Sequence, residues 1–506
     1  MRGKFVRFTM LLAMAAFFAA SLGTALAAEK DTLVMAPAAD VITLNPLKAA
    51  DSYSNYAMYL LYDPPFINGP DLKPDGQLVT KVEMQDDRTF VLTIRQDAVF
   101  HDGVPLTAED VKFTYDFIRD KNNGHRFSRN FDLVERIDVV DAHTVKFITS
   151  EPYAPLLSYL TLCVAPKHIA EKDKDALDKH PIGSGSYKFV EWKPQELLSL
   201  TRNDNWWVEG EPKIKNIILK PIAEPTTRIA ALETGGIDVA DNIPPAQVAV
   251  LEKKGLQIID TPSNGYNLIA FNQTKKPFDD VRVREALTLA INREEITDFV
   301  WYGLNKLVNG PIIERSWAYE PNVKNYGQDV ARAKQLLKEA GYEKGFSFDF
   351  YCEADENVKK YVEIVQQQWA QIGVKSNIVT KEWGAFFTDI TSGKYDVCAW
   401  QWVGQHDPDA ATYRMFHTNN TAPEGYNWVF FKDDRLDEIL YKARTINDTD
   451  ERAKLYQEAQ RIVTDNFVYI YLGEYKKILA ASTKVHGFSY SPYCLLRYNT
   501  KATIDE

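Results

Sequence analysis

Apolar positions along this chain switch between two periods, and the switches outline its elements. Thr89 to Arg95 (TFVLTIR) and Ala98 to Phe100 alternate with period two, which predicts strand, turn, strand. Leu133–Val140 and Thr144–Ile148 predict a second strand pair. Between the pairs, Thr107 opens a helix through Phe113, Tyr115 and Phe117, with Asp110 three residues on in a near capping box. Asp51 to Tyr62 carries Ala57, Leu60 and Leu61 at helical spacing behind an Asp/Ser cap, and Pro64-Pro65 ends it. Further on, Tyr266–Asn272 reads as an apolar strand and Val281–Ile291 as an amphipathic helix. Helices are then expected over 329–340, 356–372 and 383–391, alternating with strands over 346–351, 374–379 and 395–400. That rhythm predicts a parallel sheet sandwiched by helices, an α/β class. Helices over 434–444 and 448–465 and a strand over 468–472 precede a polar, aromatic tail. No internal repeat or Ser/Gly linker divides the chain, so its 506 residues form domains joined by strand crossovers.

The N-terminal pattern has another meaning. Arg2, Lys4 and Arg7 precede an apolar run from Phe8 to Leu22 and a small-x-small site at Ala25-Leu26-Ala27, which together read as a signal peptide over residues 1–27. The run is shorter than the ~20 residues that a membrane span needs. No Cys stands at the cleavage point, so no lipid anchor is expected, and the mature protein is expected in the periplasm as a soluble monomer. Losing those three basic residues takes the formal charge from −11 to −14. An acidic chain without a basic cluster argues against nucleic acid as the partner. Of the four cysteines, Cys163, Cys352, Cys398 and Cys494, the second and third follow strand-like runs and are the disulfide to test first; buried free thiols remain open.

Catalytic signatures are missing: there is no G-x-S-x-G elbow, no H-E-x-x-H helix, no Walker loop and no G-x-G-x-x-G after a strand. Gly183-Ser-Gly185-Ser186 lacks the spacing of a phosphate loop. His101, His125, His143 and His180 sit in polar turns and are expected to be exposed; no His pair has metal spacing, and no cofactor is expected. Chemistry concentrates instead at Trp383–Tyr413, where a helix, a Ser-Gly-Lys turn and an apolar strand run out into Gln401-Trp402-Val-Gly-Gln405-His406-Asp407-Pro408-Asp409. Aromatic rings and hydrogen-bonding groups leaving a strand's C-terminal end make a ligand crevice. Trp383, Trp400, Trp402, Tyr53, Tyr266 and Tyr471 are the candidate stacking faces, and Asn267, Gln405, His406 and Asp407 the candidate polar contacts. Asp407 and Asp409 read better as Asx-turn and capping groups than as a catalytic pair.

Six stretches, in order, carry a family resemblance: Thr43–Pro46, Thr89–Arg95 with Phe100–Gly103, Pro181–Tyr187, Phe278–Leu287, Ala340–Tyr342, and Trp402-Val-Gly with Asp407-Pro-Asp409. The chain resembles the extracellular solute-binding proteins of ABC importers, in the group taking up peptides, nickel, opines and related solutes. The resemblance implies a type II-like periplasmic-binding fold: two α/β lobes, with an extra small α+β domain inserted in the first. Lobe I is expected from 28–68, 182–271 and 480–506, the inserted domain from 69–181, and lobe II from 272–479. It also implies a small-molecule ligand held between the lobes, an ABC permease of the inner membrane as partner, and no catalysis. Trp383 and Trp402 match pocket tryptophans of oligopeptide binders. Gln405 stands where peptide binders place an aspartate for the ligand's amino group, and Ala399 where oligopeptide binders place an arginine for its carboxylate. Asp407 is the expected substitute for the first. A peptide-like solute is the expected ligand, with a sugar, an opine or a metal chelate as alternatives and an exported hydrolase using His406 and Asp407 as the rival of another class.

Overall fold

The computed structural model describes residues 31–505 except Pro70, 404–406, Tyr490 and 492–495; for 260–264 only the backbone is described. Gln405, His406, Cys494 and the expected signal peptide therefore lie outside the described residues. A ten-stranded sheet forms the backbone of the molecule. Its order is Lys375–Lys381, Ser347–Glu353, Val397–Trp402, Gln257–Phe271, Tyr469–Ala481, Val239–Ala240, Thr32–Ala36, Asn216–Leu219, Leu197–Arg202 and Tyr187–Lys193.

The sheet is mixed, which corrects the expectation of a parallel one. Ser347–Glu353 is parallel to both of its neighbours, as the helical crossovers Glu356–Ala370 and Trp383–Thr391 require. Val397–Trp402 then pairs antiparallel with Gln257–Phe271, which pairs antiparallel with Tyr469–Ala481. These two central strands also run beyond the apolar runs visible in the sequence, which covered only 266–272 and 468–472. Their extra lengths contain Glu474, Lys476 and Lys477, polar residues that break the alternation.

That break has a structural reason. At one end the paired strands give Ile478, Leu479, Ala480 and Ala481 to the cores around Leu33, Met35 and Ile229. At the other end they give Tyr266, Leu268, Tyr469 and Tyr471 to the core around Trp400 and Trp428, and Ile269, Phe271, Ile470 and Leu472 to the core around Trp369. The cores change within the strands, between Ile259 and Tyr266 and between Leu472 and Ile478; the sequence-based boundaries stood at 271/272 and 479/480. Ladder register shifts between Pro262 and Tyr266, at the same place.

A separate four-stranded antiparallel sheet, ordered Val79–Met84, Thr89–Ile94, Thr144–Thr149, Val134–Asp141, has its own core with the helix Ala108–Arg119, whose capping box at Thr107 and Asp110 is formed. The C-terminal tail returns to the first part of the chain. Arg497 lies 2.7 Å from Asp63, both buried, and the indole N–H groups of Trp206 and Trp207 donate to the same carboxylate.

Strand parity decides the cysteines. Cys398 faces the Trp400 core, whereas Cys352, on the adjacent strand opposite Ala399, faces the Trp369 core. The two thiols therefore project from opposite faces, and Cys163, Cys352 and Cys398 are all free and buried. The glycine turn is a packing device: a Cβ on Gly183 would stand 1.8 Å from the Leu61 carbonyl oxygen, and Gly185 N–H donates to that oxygen at 2.9 Å.

Candidate ligand cleft

A cavity of about 190 Å³ opens where three parts of the chain meet. The helix Ser52–Leu61 supplies Asn55 and Tyr59, one turn apart and so on one face. Its N-cap, Asp51, accepts from the amides of Tyr53 and Ser54 and fixes the entry of that helix. Tyr59 donates its hydroxyl to the Thr161 carbonyl oxygen at 2.9 Å, which pins the ring. The inserted region supplies Arg126, Phe127, Asn130, Tyr159, Thr161 and Leu162. Trp402, Val403, Arg414 and Tyr426 close the far side.

The far wall is aromatic and layered. Trp402 and Tyr426 meet edge to face with ring centroids 6.0 Å apart, and Trp428 packs behind both at 6.5 and 5.4 Å. Gly265, on the central strand, allows Trp402 to sit where it does, since a Cβ there would lie 2.2 Å from the Trp402 carbonyl oxygen. The Arg414 guanidinium carbon stands over the Tyr426 ring, 3.9 Å from its centre.

A second cavity, of about 350 Å³, shares Asn130, Tyr159, Arg414 and Tyr426 with the first. It runs between the inserted region and the segment 409–444. Lys121 and Asp132 pair across it at 3.1 Å, and Arg444 lies 3.3 Å from Asp409. Burial raises Asp409 above the ordinary carboxylate range, against the pull of Arg444. Contacts of residues 129–154 with residues 424–444 bound this end. Arg129 donates to the Glu424 carbonyl oxygen at 2.5 Å, and Ala154 N–H donates to the Arg444 carbonyl oxygen at 2.9 Å.

The structure sorts the residues proposed from sequence. Trp402 lines the cleft. Trp400 does not: it shares a strand face with Trp402 but is fully buried in the core with Cys398 and Trp428. Tyr266 and Tyr471 pack on each other in that core with centroids 5.3 Å apart. Asn267 is buried too, its amide donating to the Gly473 carbonyl oxygen at 3.2 Å. Trp383 is 46% exposed and packs on Phe386 and Phe387, outside both cavities. Tyr53 is half-buried beside Tyr56, with the Lys477 ammonium 5.4 Å from its ring centre; its neighbour Asn55 faces the cleft instead.

Asp407 corrects the idea of a substitute for the peptide binders' aspartate. Its carboxylate is buried, accepts from Arg452 at 2.8 Å and from Ser158 at 3.4 Å, and caps the short helix Pro408–Ala411. A carboxylate already neutralised by a buried guanidinium has no charge to offer a ligand ammonium. The sequence reading missed Tyr59, Phe127, Asn130, Tyr159, Arg414 and Tyr426. Only the aromatic content of their segments hinted at them; their convergence is tertiary.

His101 and His125 are also corrected. Gly183 N–H donates to His101 Nδ1 at 3.2 Å, and Nε2 lies 3.1 Å from the Gly185 carbonyl oxygen. Burial lowers His101 to about 4, and His125, buried behind Phe127, to about 4. Among the described residues no three His, Cys, Asp or Glu side chains converge as a metal site, and no helix is long and apolar enough to cross a membrane.

Comparison with known proteins agrees with this architecture. Residues 73–423 match the family model of bacterial extracellular solute-binding proteins, family 5 Middle. The glutathione-binding protein GsiB of Salmonella typhimurium is 31% identical over 479 residues, spanning 92% of this chain and 93% of that protein. The periplasmic binding protein DppA of Helicobacter pylori, solved with the peptide STSA, superposes with a TM-score of 0.79 at 26% identity, covering 94% of this chain and 98% of that one. NikZ of Campylobacter jejuni, solved with Ni(L-His), gives 0.78 at 26% identity over 93% and 98% of the two chains. With its two-lobed α/β architecture and a cleft where the parts meet, this chain belongs to the bacterial extracellular solute-binding proteins of family 5.

Proposed function

We propose that the protein captures a peptide or peptide-like solute in the cleft and delivers it to an ABC permease of the inner membrane. The observation that carries this reading is the cavity at which Asn55 and Tyr59, Phe127 and Tyr159, and Trp402 and Tyr426 converge from three parts of the chain. Such a site binds by being closed upon: each part contributes some contacts, and a ligand gains all of them only when the parts come together. Aromatic walls accept planar amide and thioether groups without demanding a sequence. Similarity to a protein named for binding glutathione and to one solved with the peptide STSA favours a peptide-like occupant. The division into lobe I, inserted domain and lobe II belongs to this proposal, with the two central strands shared between lobes. Export to the periplasm, action as a monomer and absence of turnover belong to it as well.

The test is a thermal-shift and calorimetric screen of the mature protein against glutathione, short peptides and Ni(L-His). Stabilisation by the peptide class is expected, since a ligand that binds only the folded form raises its melting temperature by mass action. Trp402→Ala should weaken that ligand by about 1–3 kcal/mol, as loss of a central aromatic anchor does. Stabilisation by the nickel chelate alone, or hydrolysis of the bound compound, overturns the proposal.

A further inference from the structure

The molecule is acidic, with a net formal charge of −11, yet its cleft is not. The 190 Å³ cavity is lined by two arginines, Arg126 and Arg414, and among its described lining residues there is no Asp or Glu. The two arginines differ. Arg126 is exposed and donates to the Ala50 carbonyl oxygen at 3.3 Å. Arg414 is half-buried, at the wall common to both cavities, and its guanidinium face rests on Tyr426.

The neighbouring Arg452 and Arg444 have ion-pair partners, and among the described residues Arg414 has none. Arg452 is paired with Asp407 at 2.8 Å, and Arg444 lies 3.3 Å from Asp409. Arg414 lies within electrostatic range of Asp409, but among the described residues it makes no ion pair and donates no hydrogen bond. Of the carboxylates around the second cavity, Asp132 is paired with Lys121, Asp409 lies against Arg444, and Glu424 is exposed at the rim. A guanidinium whose carbon stands over an aromatic ring still has its N–H edge to offer a ligand. That edge fits a carboxylate through two parallel hydrogen bonds, and little side-chain entropy is left to lose on binding.

We infer that Arg414 is the receptor for a ligand carboxylate, and that the solute is an anionic peptide-like compound whose acid group sits at the wall between the two cavities. This rests on the peptide reading above and narrows it. Arg126, across the cleft, adds a second positive field that attracts the same ligand. With no carboxylate among the described lining residues of this cavity, and with Asp407 sequestered, a ligand with a net positive charge is unfavourable there. Because the two cavities adjoin at Arg414, the bound acid can carry substituents into both.

Calorimetry on the mature protein tests the inference. The probes are glutathione, its diethyl ester, Lys-Ala-Ala amide and an N-carboxyalkyl amino acid, against wild type, Arg414→Gln and Arg414→Lys. Wild type should bind glutathione roughly 10- to 100-fold more tightly than the ester, the range expected for a charge-assisted pair. Arg414→Gln should abolish that preference by weakening the acid more than the ester, and Arg414→Lys should restore part of it. A wild type that binds acid, ester and cationic amide equally overturns the inference and leaves the peptide reading standing. A preference that survives in Arg414→Gln overturns the role of Arg414. Binding of the N-carboxyalkyl amino acid alone, lost in Arg414→Gln, supports the carboxylate receptor and overturns the peptide reading. Binding of no probe overturns both. Circular dichroism of each variant separates loss of the site from loss of the fold.

Discussion

At the scale of single residues, burial decides which polar groups serve structure and which face the cleft. Asp407 and Arg414 stand seven positions apart and have opposite fates. The first is neutralised by Arg452 within the protein; the second keeps its charge at a cavity wall. Nothing in the composition of the stretch from Asp407 to Arg414 separates them, because a partner 45 positions from Asp407 on the helix Thr449–Asp465 makes the difference. His101 follows the same rule. Its ring links the turn after Phe100 to the glycine turn at 183–185, and burial holds its pKa near 4, below the ordinary 6.5. The folded protein therefore takes up the proton later than the unfolded chain as pH falls. Stability from this ring is complete above pH 6.5 and is lost as pH falls from about 6.5 towards 4. Urea midpoints measured between pH 7 and 4 should fall through that window, and less steeply in His101→Gln. His125, also lowered to about 4, contributes in the same direction and keeps the variant's curve from becoming flat.

At the scale of elements, period and capping were legible and strand extent was not. Helices expected at 329–340, 383–391 and 434–444 correspond to Val330–Glu339, Trp383–Thr391 and Asp434–Thr445. Their apolar stripes face single cores, so the pattern remains regular along their length. The strands Gln257–Phe271 and Tyr469–Ala481 each serve two cores, and the alternation resets where they pass from one to the other. At that crossing Gly265 lies under the Trp402 carbonyl. Gly265→Val forces a β-branched side chain into backbone 2.2 Å away. Overpacking of this kind should cost about 1–3 kcal/mol in denaturant unfolding and displace Trp402. A variant as stable as wild type with unchanged ligand affinity would remove Gly265 from the support of the cleft.

At the scale of the whole molecule, the cleft is a product of assembly. Arg129 and Ala154 reach the Glu424 and Arg444 carbonyl oxygens, and these contacts bound one end of the cavity pair. A hydrogen bond of this type contributes about 0.5–1.5 kcal/mol. Arg129→Ala should therefore raise the ligand's dissociation rate several-fold in stopped-flow measurements with little change in melting temperature, because the latch spans parts that each have their own core. A shift in melting temperature without a change in dissociation rate would mark Arg129 as a fold contact only.

The chain's α/β class and the aromatic strand end at Trp402 followed from the order and period of its residues, which local backbone physics and short-range packing impose; its family followed from the resemblance that six short stretches carry. The aromatic ring on the opposite wall, the arginine without an ion pair among the described residues and the carboxylate removed from play depend on which distant segments come together. A strand's alternation states that Trp400 and Trp402 share one face, but only the packing of Tyr59, Phe127 and Tyr426 leaves Trp402 beside a cavity while Trp400 stays sealed in a core.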